Sequence, residues 1–391
     1  MPIYFDYNAT APLAPAAEAA WLEIVHGAWG NASSVHARGQ AALHHLDAAR
    51  RSIAQNLGCE PDQLVFNSGA TEGSNHVVQA LLSIPRAAGR SDSAKPHAIV
   101  SAIEHHCVLE PAQTLHKQGV AEIDFIDAST DGRVDVAKIA AKFHPNTVLV
   151  ALMAVNNETG VIQDIPALAK HLAEYNRTNA PAGAQPGLFC DATQALGKLS
   201  PAHVAGADWV CFSGHKFGAP KGIGGLICRR DLPPLFYGGN AEHARRPGTV
   251  PVEAVHAMAA ALAAAETDRP AQTAKTARLR DQLEAGICAA IPTAVVAGQA
   301  APRVANTSFV CFRGLRAETL VMNFDLAGLC TSTGAACVQG AAQTSHVLAA
   351  MHLPADQIVG AVRFSLGPNS TTDEVVQAIA IVREVCQRLK R

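Results

Sequence analysis

The sequence predicts an α/β protein whose large domain holds a mostly parallel, mixed sheet and whose smaller domain is α+β. Short apolar runs alternate with helical segments over the first two thirds of the chain. These runs are apolar without interruption, which is typical of strands covered on both faces. After about residue 265 the alternation gives way to strands and helices in another order. We expect residues 15–260 to form the large domain, and residues 1–14 and 261–391 to form the small domain.

The predicted elements follow from local patterns. Alanine-rich helices are expected at 15–29 and at 36–57, the second ending at Gly58 as a left-handed cap. Apolar runs predict strands at 64–67, 97–101, 123–126, 148–153, 188–191 and 209–212, with helices starting at 71, 136 and 165. A second strand at 226–228 would pair with 209–212 across a polar turn. A helix is expected at 251–265, and in the small domain we expect helices at 273–290, 345–351 and from 372, and strands at 304–312, 329–332 and 361–366.

Composition narrows the class of protein. The 391 residues are 49% hydrophobic and carry a formal net charge of only -2, without a long block of like charge. We therefore expect neither a nucleic-acid partner nor a membrane-surface partner. The start of the chain lacks a basic segment followed by an apolar one, so we expect a cytoplasmic protein.

The ten cysteines are scattered singly, without a CxxC pair, so the sequence predicts neither a disulfide framework nor a metal site. Most of them lie in apolar runs, where a free cysteine behaves as a small buried hydrophobe. Cys337 differs, because the small residues of 332–340 predict a loop around it. An exposed thiol on a loop is chemically available.

Polar residues follow the last apolar residue of strand after strand. They are Thr71, His105, 156–158, Asp191 with Gln194, and Ser213 with His215 and Lys216. Each alone is an ordinary cap or turn residue. Because ligands of parallel sheets bind at the carboxyl ends of the strands, the set together indicates a site at that edge.

The types of these residues indicate which ligand the site binds. A helix start at Thr71 suits a phosphate, Asp191 suits a pyridinium nitrogen, and the ring of His105 suits an aromatic cofactor. Lys216, at the end of an apolar strand, could be desolvated enough to act as a nucleophile. These features describe a pyridoxal phosphate pocket. The alternatives are a solvated lysine in a surface hairpin and a simple N-cap at Thr71.

The chain resembles the cysteine desulfurases of the class V aminotransferase family, in the subgroup with a long catalytic loop. The resemblance covers essentially the whole chain and rests on Asp6-Tyr7-Asn8-Ala9-Thr10, Ser68-Gly69-Ala70-Thr71-Glu72, Val155-Asn156-Asn157-Glu158-Thr159-Gly160, Asp191-Ala192-Thr193-Gln194, Ser213-Gly214-His215-Lys216, Gly248-Thr249-Val250-Pro251, Gly334-Ala335-Ala336-Cys337 and Arg363-Phe364-Ser365-Leu366-Gly367. It implies the fold-type I architecture of pyridoxal phosphate enzymes.

The resemblance implies pyridoxal 5'-phosphate as cofactor, bound by Ala70, Thr71, His105, Asn157, Asp191, Gln194, Ser213, His215, Lys216 and Thr249. Lys216 would form the Schiff base and later move the substrate Cα proton. His105 would stack on the pyridine ring and act as acid or base. Asp191 would pair with the ring nitrogen and Gln194 with the phenolic oxygen. Thr71, Ser213 and His215 would hold the phosphate.

The resemblance also implies the substrate and the partners. Asn157 and Arg363 would bind the carboxylate of L-cysteine, and Cys337 would take its sulfur as a persulfide, leaving L-alanine. The sulfur would pass to an acceptor protein, for example in iron–sulfur cluster assembly. Thr249 would reach the pocket of a second subunit, which implies a homodimer.

Two departures and three alternatives accompany this interpretation. Ala32 stands where the family usually has proline, and residues 338–344 are less serine-rich than usual after the cysteine. The alternatives are a selenocysteine lyase, an aminotransferase, or a sulfur-relay scaffold without catalysis.

Overall fold

The computed structural model describes residues 2–83, 95–179, 185–334 and 344–390. Cys337, which the sequence analysis selected as the reactive thiol, lies outside the described residues. In the parts of the chain that are described, no helix has both the length and the apolar character needed to cross a membrane.

A seven-stranded sheet forms the centre of the molecule. Its strands are β2 (Leu64–Asn67), β3 (His97–Ser101), β4 (Glu122–Ile126), β5 (Thr147–Ala151), β6 (Gly187–Asp191), β7 (Trp209–Ser213) and β8 (Gly224–Cys228). They lie in the order β2-β8-β7-β6-β5-β3-β4, and β8 alone runs antiparallel to its neighbours in this sheet. This confirms the predicted α/β class with a mostly parallel, mixed sheet.

Helices cover both faces of this sheet. They are α1 (Pro15–Gly27), α2 (Ala37–Leu57), α3 (Ala70–Leu82), α4 (His106–Lys117), α5 (Val136–Ala140), α6 (Ile165–Thr178) and α7 (Val252–Ala290). Within β3, Ala98 and Val100 belong to the core cluster under α3 and α4, whereas Ile99 belongs to the cluster under α1, α2 and α6. Because successive side chains of a strand point to opposite faces, an uninterrupted apolar run serves both cores.

The remaining elements are β1 (Ile3–Tyr4), β9 (Ala294–Val296), β10 (Thr307–Phe312), α8 (Ala317–Leu326), β11 (Leu329–Cys330), α9 (His346–Ala350), α10 (Ala355–Ile358), β12 (Ala361–Ser365) and α11 (Thr372–Leu389). Most of them build a third core around two smaller sheets, whereas α9 and α10 pack against the core under α1, α2 and α6. β10 pairs antiparallel with β9 and β12, and β1 pairs with β11. β1, β9, α8 and α10 were not predicted from the sequence, since they are short or lack a clear apolar period, and α4 was not predicted either.

One prediction about the helices is wrong. The segments 251–265 and 273–290 are a single helix, α7, which continues through Pro270. Proline costs an internal helix a hydrogen bond and a steric clash. The helix persists because it packs on both sides of that point, against α1 and α2 at its start and against α11 further on. The predicted boundary at 260 falls inside this helix, and the division into two domains stays a prediction.

Most cysteines are buried, as predicted. Among the described residues Cys107, Cys190, Cys211, Cys228, Cys311 and Cys386 are buried. Burial raises the pKa of the Cys107 thiol well above its ordinary value and does the same for Cys190 and Cys211. These thiols are therefore packing groups rather than nucleophiles.

Candidate active site

The predicted site residues follow the carboxyl ends of neighbouring strands. β2 and β7 run parallel to each other because each is antiparallel to β8, so their carboxyl ends lie at the edge where β3, β5 and β6 also end. β7 leads into a one-turn 3-10 helix, Gly214–Phe217, which carries Lys216. Gly218 ends this turn with φ of 90°, a left-handed conformation that suits glycine.

Lys216 is half-buried, and its amine faces the start of the chain. Its Nζ donates hydrogen bonds to the carbonyl oxygens of Asn8 at 2.7 Å and Ala9 at 2.8 Å. Burial and, to a smaller extent, the positive Arg363 lower the pKa of Lys216, the negative Asp191 partly opposes them, and the resulting pKa is about 8. A desolvated amine with a lowered pKa is a better nucleophile and base near neutral pH than a solvated one.

Asn8 connects Lys216 to the other side chains of the site. The Asn8 carbonyl that accepts from Lys216 also accepts from Nε2 of Gln194 at 3.0 Å. The Asn8 side chain accepts from Lys198 Nζ at 2.9 Å and donates to Thr307 Oγ1 at 2.9 Å. Every polar group of this buried asparagine is therefore used, and the contacts join the large sheet to β10.

His105 and Asp191 lie close enough to Lys216 to share its electrostatics. His105 is the N-cap of α4, and its Nδ1 accepts the N–H of Cys107 at 3.2 Å, so the proton of the neutral ring is on Nε2. Burial lowers the pKa of His105, Asp191 opposes that shift, and Lys216 adds to it. Asp191 is 5% exposed, and its Oδ1 accepts from the N–H of Thr193 at 2.9 Å.

The start of α3 forms a glycine-lined cradle beside β7. The Ala70 N–H donates to Ser213 Oγ at 2.8 Å. Gly69 has φ of 142°, and a Cβ built on Gly224 would lie 2.7 Å from its Cα. Only glycines allow this close approach of two backbones. The first turn of α3 directs its unpaired N–H groups into the cradle, as helix starts that bind anions do.

His215 lies next to Lys216 on the same turn. Its Nδ1 is 3.1 Å from Thr10 Oγ1. Burial, together with the positive charges of Lys216 and Lys221, lowers the pKa of His215 to about 4. The neutral ring therefore serves as a hydrogen-bonding group rather than a charge.

Arg363 on β12 is brought to Asn157 as the sequence analysis expected, but it already has partners. Its Nη1 donates to the backbone oxygen of Asn157 at 3.0 Å, and its Nη2 donates to Asp6 Oδ1 at 2.8 Å. Its Nε is buried without a partner among the described residues. The guanidinium therefore still has donor capacity beside Asn157.

Described residues on either side of Cys337 contact this site. Before it, a Cβ on Gly334 would lie 3.2 Å from Glu158 Cγ. After it, Ser345 Oγ donates to the Glu158 carboxylate, and His346 Nε2 lies 2.9 Å from the Glu104 carbonyl. Glu104 and Glu158 directly adjoin His105 and Asn157 in the chain, so Gly334, Ser345 and His346 lie at the site.

Two predicted site residues are exposed in the single chain. Thr71 lies in the first turn of α3 with its side chain exposed, and Thr249 is exposed in the segment before α7. Among the described residues, neither side chain joins the contacts given above. A cavity of about 640 Å³ lies beside the site rather than at it, lined by Thr10, Leu13, Trp21 and Lys221 among others.

The sequence analysis gave no role to several residues that the structure places here. They are Asp6, Asn8, Glu104, Glu158 and Lys198. Three of them, Asp6, Asn8 and Glu158, stand in quoted motifs, so motif membership was the available signal. Lys198 had none, because a single lysine after a helical turn is usually solvated.

Known proteins resemble this chain over nearly its full length. Residues 3–378 match the family model described as aminotransferase class-V. A cysteine desulfurase of Cereibacter sphaeroides is 36% identical over 394 residues, covering 99% of this chain and 96% of that protein. An IscS-like cysteine desulfurase of Mycobacterium tuberculosis is 34% identical, covering 99% and 97%. A solved structure titled NifS-like protein superposes with a TM-score of 0.88 at 28% identity, covering 99% of this chain and 100% of that one.

Proposed function

Because the chain belongs to the class V aminotransferase family and, within it, to the cysteine desulfurases, we propose that its strand-end site takes sulfur from L-cysteine with pyridoxal 5'-phosphate as cofactor. The products are L-alanine and a sulfur atom held by the protein. The observation that carries the proposal is Lys216, a half-buried amine with a lowered pKa that lies beside a buried carboxylate and a helix start.

The residues present fit this cofactor. The glycine-lined cradle at Gly69 leaves room and N–H donors for a phosphate, with Ser213 and His215 beside it and Thr71 at its rim. Asp191 offers a buried carboxylate for the ring nitrogen, and Gln194 offers an amide N–H for the phenolic oxygen. The site therefore offers N–H donors for the phosphate and the phenolic oxygen, a carboxylate for the ring nitrogen and an amine for the Schiff base, as pyridoxal phosphate requires.

Each residue then has a definite task. When bound, pyridoxal phosphate supplies a sink for the electrons left as the substrate Cα–H bond breaks. Lys216 would hold the cofactor covalently, and as a neutral amine it takes the Cα proton. His105, with its proton on Nε2, would stack on the pyridine ring and serve as acid or base.

Arg363 and Asn157 would orient the substrate. The guanidinium carries a planar set of donors that matches a carboxylate, and its free Nε and the Nη2 now on Asp6 can both turn to that ligand. A substrate carboxylate would replace one negative partner of Arg363 by another, so binding does not leave the buried cation unpaired.

Cys337 is proposed as the group that takes the sulfur. Its thiolate attacks the substrate sulfur and forms an S–S bond. The carbon–sulfur bond breaks, its electron pair stays on carbon, and protonation of that carbon gives L-alanine. The contacts of Gly334, Ser345 and His346 support this assignment, because they place described residues on either side of Cys337 next to Asn157 and His105.

The remaining assignments concern partners. We propose a homodimer in which Thr249 of each subunit reaches the phosphate end of the other. The position of the segment before α7 supports it, because Arg246 in that segment binds Glu72 of α3 at 2.8 Å while Thr249 stays exposed. A cytoplasmic location and transfer of the sulfur to an acceptor protein, for example in iron–sulfur cluster assembly, complete the proposal.

The decisive experiment compares Cys337→Ala with the wild type. Purified, cofactor-loaded protein receives L-cysteine and a thiol reductant, and alanine and sulfide are measured. We expect Cys337→Ala to lose both products while keeping the visible absorbance of the cofactor. The matched control is Cys288→Ala, a half-buried cysteine on α7, which should keep the wild-type rate.

Two results would contradict the proposal. Sulfide release by Cys337→Ala at the wild-type rate would rule out the persulfide on that residue and favour a lyase. Failure of the wild type to make any alanine would favour the sulfur-relay scaffold. Mass spectrometry of the wild type should find one additional sulfur on the peptide that contains Cys337.

A further inference from the structure

Lys198 is a second amine at the site, and the proposed reaction does not use it. It lies four residues after Gln194, in a turn that Gly197 closes with φ of 73°. Its side chain is half-buried, and protein surrounds its amine closely enough that burial is the largest cause of its lowered pKa. Enclosing a lysine amine is costly and needs a compensating set of contacts.

The amine has two acceptors. Its Nζ donates to Gln194 Oε1 at 2.6 Å and to Asn8 Oδ1 at 2.9 Å. No carboxylate among the described residues pairs with it, and its charged neighbours are the cations Lys216 and Arg363. Burial, with help from these two charges, lowers its pKa to about 7. The position of the amine is therefore explained by its two hydrogen bonds and not by an ion pair. The amine can donate these two hydrogen bonds whether it is charged or neutral.

These contacts determine which way the Gln194 amide points. Its oxygen faces Lys198, and its nitrogen donates to the Asn8 carbonyl at 3.0 Å, an atom that can only accept. Both ends of the amide therefore select the same orientation. The Asn8 carbonyl also accepts from Lys216 Nζ at 2.7 Å, so the Gln194 NH2 group lies beside the reactive lysine with one N–H to spare.

We propose that Lys198 is a positioning residue, which holds the Gln194 amide so that its free N–H faces the cofactor's phenolic oxygen. The inference rests on the proposed function, since that oxygen belongs to pyridoxal phosphate. Without Lys198, the Gln194 oxygen would lose its donor, and only the hydrogen bond from Nε2 to the Asn8 carbonyl would hold the amide in this orientation.

The test is a double-mutant cycle read by absorbance. Wild type, Lys198→Met, Gln194→Leu and the double variant are loaded with pyridoxal phosphate, and the pH midpoint of the visible absorbance change is measured without substrate. The midpoint reports the loss of the proton that the phenolic oxygen shares with the nitrogen linking the cofactor to Lys216. Loss of the N–H donor from Gln194 leaves the phenolic oxygen more basic, so this proton is held to higher pH. Lys198→Met should raise the midpoint by about half a pH unit or more.

The double-mutant cycle separates an effect of Lys198 that is transmitted through Gln194 from a direct effect of the Lys198 charge on the cofactor. If Lys198 acts through Gln194, the double variant shifts no further than Gln194→Leu alone. Additive shifts would overturn the inference, and so would an unchanged midpoint in Lys198→Met. The charge control is Lys221→Met, an exposed lysine five residues after Lys216, which should leave the midpoint in place.

A second variant covers the case in which Lys198→Met folds poorly. Lys198→Gln keeps an N–H donor but no charge, so it should shift the midpoint less than Lys198→Met, and an equal shift would contradict the inference. The affinity of the cofactor-free protein for pyridoxal phosphate should fall more in Lys198→Met than in Lys198→Gln. A wild-type chain that takes up no cofactor would refute the proposed function as well, whereas uptake with an unchanged midpoint in both variants refutes the role of Lys198 alone.

Discussion

Glu158 should give this protein a stability that falls as the pH rises. Its carboxyl group is 1% exposed and accepts from Ser345 Oγ, the N-cap of α9. Burial raises its pKa from 4.5 to about 7, while the Ser345 hydrogen bond and the positive Arg363 oppose the shift. The folded state therefore prefers the protonated acid.

The size of the effect follows from the shift. A carboxyl whose pKa is higher in the folded than in the unfolded chain stabilises the fold at low pH, and that contribution is lost as the pH rises through about 7. At about 1.4 kcal/mol per pKa unit, the shift is worth about 3 kcal/mol, of which about 2.5 kcal/mol falls between pH 5 and pH 8.

The perturbation is Glu158→Gln, which keeps the shape and an acceptor for Ser345 but cannot ionise. The free energy of unfolding is measured by urea denaturation at pH 5 and pH 8 for the variant and the wild type. We expect the wild type to lose about 2.5 kcal/mol more than the variant over this interval. The matched control is Glu384→Gln on the exposed side of α11, which should follow the wild type.

Parallel curves for the wild type and Glu158→Gln would refute this reasoning. Such a result would mean that the carboxylate is solvated or paired once it ionises. A loss with the opposite sign would mean that ionised Glu158 stabilises the fold through Arg363.

Two further predictions concern packing. Gly224→Ala should destabilise the fold by about 2 kcal/mol or more and weaken cofactor binding. The reason is that the new Cβ would lie 2.3 Å from the Phe212 carbonyl oxygen, a backbone atom that cannot move aside. Thermal melting measures the stability and cofactor titration the binding, and a melting temperature equal to that of the wild type would contradict the prediction. Arg303→Met should cost about 3 kcal/mol, because it leaves Glu284 buried without its partner at 2.7 Å. Arg177→Met, which breaks an exposed pair, is the control and should change stability by less than about 1 kcal/mol, and equal effects of the two variants would refute the role of burial.

Much of the fold could be predicted because its signals are local. An uninterrupted apolar run such as 97–101 becomes a buried strand wherever helices cover both faces, and Gly58 ends α2 with φ of 65° because glycine pays no steric penalty there. The order of strands and helices then places the strand ends at one edge. That rule predicts that Lys216, Asp191 and His105 lie at the same edge.

The helix α7 shows where local signals fail. Pro270 and the change of pattern near residue 265 indicate two helices, but the chain forms one. The cost of the proline is local, whereas the packing against α1, α2 and α11 that outweighs it comes from distant parts of the sequence.

By itself, the sequence determined the class of fold, the edge that holds the site and the residue types gathered there, because hydrophobic period and strand-end position are properties of short segments. Only the tertiary structure decided which residues that are distant in the sequence are in contact. The N–H of Asn8 donates to Ser365, 357 residues away, and Arg363 pairs with Asp6 at the same separation. Such contacts carry no periodic signal, since they arise when the three cores close on one another. For the same reason Lys198, which looks like a solvated lysine in the sequence, lies with its amine enclosed beside Gln194.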